Sequence, residues 1–244
     1  MKMAIMQPYL FPYIGYFQLI NAVDKFVVYD DVHFIKQGWI NRNRILVNQK
    51  PFFFTVPLKD ASSFRLIKDT EIHEPMYQQW YSKFNKTLLD AYQKAPFFET
   101  VFPLLESIFS QPGNFIVDLC RRSIKSVCEY LSIETEFVQS STIYGNEQLK
   151  GQARVIDICR CEHAWTYINA LGGAGLYNKK DFARENIELF FIKSTPDAYK
   201  QFNREFVAGL SIIDILMFNP KVVVREMLRQ VEVVQSINDS SFED

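Results

Sequence analysis

The chain predicts the α/β class: a mostly parallel sheet with helices between its strands, and a helical insertion or subdomain. Three observations carry this. Short apolar runs over residues 3–6, 26–29, 135–139, 166–169 and 187–192 stop abruptly at polar residues or turns, as strands buried on both faces do. Segments with helical spacing separate several of these runs, and parallel strands need such crossovers. Between residues 74 and 131 apolar residues recur every three to four positions, a helical block inside the alternation.

In chain order, the first run ends at Gln7-Pro8, and Pro12 and Gly15 hold a turn before a short helix over residues 15–22. The second run ends at Asp30-Asp31 and completes a βαβ unit with the first. Residues 50–58 read as a third strand stopped by Pro57, and 62–72 as an edge strand. Tyr77, Trp80, Tyr81, Phe84, Leu88 and Tyr92 mark a helix over 74–95, closed by Pro96. Helices over 99–109 and 114–131 follow across Pro112-Gly113, with Asn114 as the expected N-cap. A strand over 135–139, a helix over 147–161 and a strand over 166–169 lead into the Gly-rich stretch 171–177. A strand over 187–192 and helices over 210–217 and 222–234 complete the order, and the polar tail frays. The expected division is an N-terminal α/β part carrying the candidate site (1–73), a helical insertion (74–131), a C-terminal α/β part with closing helices (132–237) and a flexible tail (238–244).

The 244 residues are 48 % hydrophobic, with 22 Phe and 12 Tyr, enough for a large core. A net charge of −1 supplies no field for nucleic acid and no polybasic membrane patch. No apolar stretch reaches the roughly 18–20 residues a membrane span needs. Pro8 and Pro12 interrupt the N-terminus before a signal-peptide pattern develops, so a cytoplasmic location is expected, without membrane insertion. Cys120 and Cys128 fall in a helical apolar pattern and read as packing residues. Cys159 and Cys161 beside His163 lack a second Cys/His pair at zinc spacing and an acid to orient a nucleophile. No metal and no disulfide are expected.

Polar residues crowd at the strand ends, which line the ligand crevice of a parallel sheet. Residues 7–17, Gln-Pro-Tyr-Leu-Phe-Pro-Tyr-Ile-Gly-Tyr-Phe, leave a strand and enter a helix whose free N–H groups favour a phosphate or carboxylate. The layout resembles Rossmann and nucleotidyltransferase-like sheets, although the positions of the two His of the latter are aromatic or apolar here, with Tyr13 and Tyr16 nearest. Gln7, Tyr9 and Tyr16 are the binding candidates. Asp30, Asp31, His33 and Lys36 are the catalytic candidates; if the strand continues, Asp31 and His33 share a face, and a carboxylate orienting an imidazole makes a base near neutral pH. A capped turn with a structural His33 is the competing reading. Trp39, Asn41, Arg42, Asn43 and Arg44 offer a ring platform, amide readers and anion binders, against a solvated charged hairpin. Gly172 and Gly173, in the stretch Gly172-Gly173-Ala174-Gly175, let the backbone approach a ligand closely, with a tight loop as the equal reading, and Tyr177 is a further binding candidate. Ser140–Thr142 hydroxyls suit either a phosphate or helix capping.

At these same residues the chain resembles the WbqC-like family of bacterial proteins. The matching stretches are residues 6–20, Asp30-Asp31-Val32, Lys36, residues 39–45, Thr55-Val56-Pro57, Tyr167 with the 172–177 loop, Tyr199-Lys200-Gln201 and residues 210–216. The resemblance covers nearly the full length. Gln is expected where this chain has His33, which favours Asp30 or Asp31 as the base. The resemblance implies a role in O-antigen or other surface-polysaccharide synthesis: transfer of glycine or another small acyl group to a nucleotide-linked amino sugar. It also implies a cofactor question, ATP or an acyl or aminoacyl carrier. A non-catalytic sugar-nucleotide-binding or assembly module is the alternative, and a Cys161-dependent acyltransferase a third.

Overall fold

The computed structural model, which describes residues 1–202 and 205–235, has eight strands and eight α-helices among those residues. The elements are β1 (Lys2–Met6), α1 (Ile14–Asn21), β2 (Lys25–Val28), β3 (Arg42–Val47), β4 (Lys50–Thr55), α2 (Glu74–Tyr92), α3 (Phe98–Phe109), α4 (Ile116–Leu131), β5 (Glu136–Val138), α5 (Gly151–Cys161), β6 (Thr166–Ala170), α6 (Lys179–Arg184), β7 (Glu188–Ser194), α7 (Ile212–Phe218), α8 (Lys221–Met227) and β8 (Val231–Val234). Six strands form one sheet in the order β5-β2-β1-β6-β7-β8. All pairs are parallel except β7–β8. The α/β class read from the strand runs is the observed one.

Because side chains alternate across a strand, β1 splits its apolar residues between two cores. Met3 and Ile5 face α5 and α6 with Val155, Ile158, Tyr167 and Phe182. Ala4 faces the other side, with Phe17 and Ile20 of α1 and residues from α2, α3, α4 and α7. The helical block shares this second core with the sheet. Cys120, Cys128 and Cys159 are buried free thiols. Burial pushes Cys128 and Cys159 up to about 12, so neither is a thiolate near neutral pH. Among the described residues no helix is long and apolar enough to cross a membrane.

The elements depart from the sequence pattern in five places. Residues 50–58 do not extend the main sheet: β4 pairs antiparallel with β3, which the sequence reading had not marked as a strand. Asn48 and Gln49 form their two-residue turn, both at positive φ (48° and 64°), the geometry that matches strand twist in a tight hairpin. Residues 62–72 are turns around a 3-10 segment, Ile67–Asp69, tied by single bridges His33↔Leu66 and Leu58↔Ile72. Asn114 does not cap α4; the Asp118 carboxylate accepts from the Phe115 N–H at 3.2 Å. The final helix expected over 222–234 breaks after Met227 and returns as β8. The Gly-rich stretch is a 3-10 turn, Leu171–Leu176, followed by the unanticipated α6. The tail 238–244 lies outside the described residues.

Candidate functional site

Strand order reverses at β1: β2 and β5 lie to one side, β6, β7 and β8 to the other. Ligands of open α/β sheets bind beyond the carboxyl ends of the strands at such a reversal. Here the sheet also parts. The β1–β6 ladder has two pairs, Lys2↔Thr166 and Met3↔Tyr167, both near the strands' amino ends, against four for β1–β2 and five for β6–β7. On the α1 side of this split lies a cavity of about 300 Å³, lined by Met6, Tyr9, Tyr13, Gly15, Tyr16, Gly172, Lys193 and Ser194 among others. On the opposite side the gap is plugged. Asn169 Nδ2 donates to the hydroxyls of Tyr167 at 3.0 Å and Tyr177 at 2.9 Å, and those hydroxyls lie 3.2 Å apart. A larger hollow, about 570 Å³, holds Cys161 and His163 at the amino ends of β6 and β7. That is the edge opposite the strand carboxyl ends, which leaves the smaller cavity as the candidate site.

The loop from Gln7 to Tyr13 forms one wall and is held from several directions. Leu10 N–H donates to Ile40 O at 3.1 Å, and Phe11 N–H to Ser123 Oγ at 3.2 Å. Asn43 Nδ2 donates to Leu10 O at 2.9 Å and Phe11 O at 2.7 Å, and Ser211 Oγ to Phe11 O at 2.8 Å. These bonds hold Phe11 at φ 42°, a left-handed conformation that costs a non-glycine residue about 1–3 kcal/mol. Within the loop, Tyr9 Oη accepts from Tyr13 N–H at 3.1 Å and Tyr16 Oη donates to Gln7 O at 3.2 Å. The two rings meet edge-on at 5.2 Å. Burial raises both phenols well above their ordinary range, so they stay neutral. Gly15 admits the closeness of α1 to β7: a Cβ there would stand 3.1 Å from Ser194 Cβ. Ser194 Oγ is buried without a hydrogen-bond partner.

The acidic pair is committed inside the protein. Asp30 is buried; its Oδ1 accepts from Ser140 Oγ at 2.8 Å and Ser141 N–H at 3.1 Å, and its Oδ2 from Arg121 on α4. Asp31 accepts from Ser141 Oγ, and from Arg154 on α5 at 2.5 Å. The Ser140 and Ser141 hydroxyls therefore serve carboxylates rather than an open phosphate site, and Thr142 Oγ1 lies 2.8 Å from Ser140 Oγ. β2 ends at Val28, so the extended strand that would align Asp31 with His33 is not formed. His33 and Lys36 are exposed and outside the lining of the cavity.

The 39–44 segment separates by strand alternation. Asn43 is buried and uses both amide hydrogens on the loop carbonyls, and Asn41 Nδ2 donates to Val56 O at 2.8 Å. Both Asn side chains act as clamps. Arg42 and Arg44 project to the other face, beside Trp39 and Phe53. The candidate residues at the strand ends therefore divide. Tyr9, Tyr16 and Gly172 line the cavity, with Gln7 at its β1 end and Gly173 3.5 Å from Asn169 (measured from a Cβ built at Gly173); none of residues 30–44 lines it. Sequence reading missed Lys193, Ser194 and Asn169, and the arginines Arg121 and Arg154. For Asn169, Lys193 and Ser194 the nearest signal is position just beyond or at the end of an apolar run, shared by many residues; Arg121 and Arg154 lie inside helices and carry no local signal.

The description of the WbqC-like protein family matches residues 7–226 of the chain. The chain is 29 % identical over 232 residues to the uncharacterized protein Rv1507c of Mycobacterium tuberculosis, covering 93 % of this chain and 97 % of that one. No solved structure matches.

Proposed function

Since the chain belongs to the WbqC-like protein family, we propose that it is a transferase or ligase acting in surface-polysaccharide (O-antigen) synthesis. In this reading it adds glycine or another small acyl group to the amine of a nucleotide-linked amino sugar. The observation that carries the reading is the parting of β1 from β6 at the reversal of strand order, with the cavity at its mouth. Tyr9, Tyr13 and Tyr16 give that cavity aromatic walls of the kind that pack on sugar rings. The Ser194 hydroxyl and the first turn of α1 give it donor groups for a carboxylate or phosphate, and Lys193, ion-paired with Glu232 at 3.4 Å, stands at its rim. In the reaction the neutral sugar amine attacks the activated carbonyl, a C–N bond forms, the bond from the carbonyl carbon to the leaving group breaks with its electron pair going to the leaving group, and the proton released by the amine passes to that leaving group or to water. With ATP activation the leaving group is a phosphate, seated at the start of α1; with a carrier thioester it is a thiol.

A specific observation favours the second reading, a sugar-nucleotide-binding module without catalysis. Asp30 and Asp31, the acids best suited as bases by sequence, are both paired with arginines. The test is calorimetric titration of nucleotide-linked amino sugars, with a glycine-incorporation assay run with ATP and with a glycyl thioester. The proposal expects binding that weakens in Gly15→Ala, and incorporation with one donor. Binding without incorporation from either donor establishes the module. Binding unchanged in Gly15→Ala removes the cavity as the site.

A further inference from the structure

We propose that the outer face of the β3–β4 hairpin binds a nucleoside diphosphate, with the phosphates on Arg42 and Arg44 and the base against Trp39 or Phe53. This deepens the functional reading, because it assigns the nucleotide part of the substrate to a surface outside the crevice lining.

Arg42 and Arg44 lie two apart on β3 and therefore on one face; Phe53 is paired opposite Arg44. Arg42 Cζ stands 5.4 Å from the Phe53 ring centre, Arg44 Cζ 5.3 Å from that of Trp39, and the two rings lie 6.0 Å apart at 24°. Guanidinium over an aromatic face at such distances is attractive and fixes its plane. Trp39 and Phe53 nevertheless remain 43 % and 50 % exposed.

The charge of these two arginines is uncompensated. Arg65, Arg121, Arg154, Arg160 and Arg184 each pair with a carboxylate. Arg42 and Arg44 have no carboxylate at ion-pair distance among the described residues. Their hydrogen bonds go to neutral carbonyls instead: Arg42 Nε to Gly38 O at 2.9 Å and its terminal nitrogen to Gln37 O, and Arg44 to Gly209 O at 2.7 Å. Those bonds orient both forks and leave other N–H groups unused, and Arg44 Nε is buried with no acceptor. Gly209 is built around this guanidinium: its φ is +70°, and a Cβ there would stand 2.9 Å from the Arg44 nitrogen. A pair of oriented, unneutralised guanidinium groups matches phosphate oxygens, and adjacent half-exposed rings match a base.

The experiment is calorimetric titration of the whole chain with UDP, GDP, ADP and inorganic pyrophosphate, at low and moderate salt, with thermal melts as control. The expected result is binding of at least one nucleoside diphosphate tighter than pyrophosphate, weakening as salt rises. Arg42→Gln should lower the affinity at least tenfold at an unchanged melting temperature. Trp39→Ala should erase the preference over pyrophosphate. Gly15→Ala, in the crevice, should leave UDP and GDP binding intact, so loss of amino-sugar transfer in that variant does not bear on the hairpin. Diphosphates that bind equally to the parent, Arg42→Gln and Trp39→Ala overturn the assignment, as does a parent that binds none at millimolar concentration. In both cases the cluster is a cation–aromatic brace of the hairpin.

Discussion

Arg154 of α5 reaches Asp31, just past the end of β2, at 2.5 Å, and both side chains are 4 % exposed. The pair joins one face's crossover helix to the carboxyl edge of the sheet. Asn146 Oδ1 accepts from Arg154 Nε at 2.9 Å, and the Tyr29 ring centre lies 5.1 Å from the guanidinium. Asp30 repeats the arrangement with Arg121 of α4. Two adjacent acids thus tie helices from two regions of the chain to one strand end.

Removing one member of such a buried pair strands a charge. Arg154→Ala is expected to destabilise the protein by about 3–5 kcal/mol, while replacing both Asp31 and Arg154 by apolar residues of similar volume recovers most of the loss. Urea unfolding of the single and double variants checks this. A single variant within about 0.5 kcal/mol of the parent shows that the pair is solvated in solution.

The parallel strands were legible because burial on both faces leaves uninterrupted apolar runs, as at Met3-Ala4-Ile5 and Phe26-Val27-Val28. β3 was not, because its alternation, Arg42-Asn43-Arg44-Ile45, places polar residues on both faces and its turn is Asn48-Gln49 without glycine. β8 was hidden because Val231–Val234 continues the apolar spacing of α8 across the short break at Leu228–Gln230. At the candidate site, Gln7, Tyr9 and Tyr16 stood out by position after a strand. Asp30 and Asp31 stood out too, but their partners lie 91 and 123 residues away, and no local pattern encodes such a pairing.

Asn43 is expected to matter for stability rather than for reading a ligand. Asn43→Ala leaves the Leu10 and Phe11 carbonyls short of a donor and should cost about 1–3 kcal/mol. Asn43→Asp sets a carboxylate against the same carbonyls and should cost more. The ordering in denaturant midpoints is the measurement; an Asp variant as stable as the Ala variant contradicts the clamp.

Ser194 invites the opposite sign. Its hydroxyl is buried and unpartnered, so Ser194→Ala removes a desolvated group and is expected to raise stability by up to about 1 kcal/mol. The same change should weaken binding of a carboxylate or phosphate in the crevice. A variant that melts higher and binds as well as the parent excludes Ser194 from the site.

Asp214 gives the pH dependence. It is fully buried at the start of α7, where its carboxylate accepts from Tyr92 Oη at 2.8 Å, Tyr199 Oη at 2.6 Å and Gln201 Nε2 at 2.7 Å. Burial raises its pKa, and the three donors offset that only in part. Tyr92 and Tyr199 are themselves raised by burial and stay neutral, so the carboxyl group is what titrates here. The folded chain holds this proton to higher pH than the unfolded chain, whose carboxyl has a pKa near about 3.9. The contribution is therefore complete below about pH 4 and is lost as pH rises through the folded value. Asp214→Asn cannot titrate. Its stability relative to the parent should improve from about pH 4 until the pH passes the folded pKa of Asp214 and then level off, by about 1.4 kcal/mol in all for each unit of raised pKa. Urea unfolding of both proteins across pH 4–8 reads this difference, and other titrations cancel between them. A difference that does not change with pH means that Asp214 titrates alike in the folded and unfolded chains, and the three hydrogen bonds then fully compensate its burial.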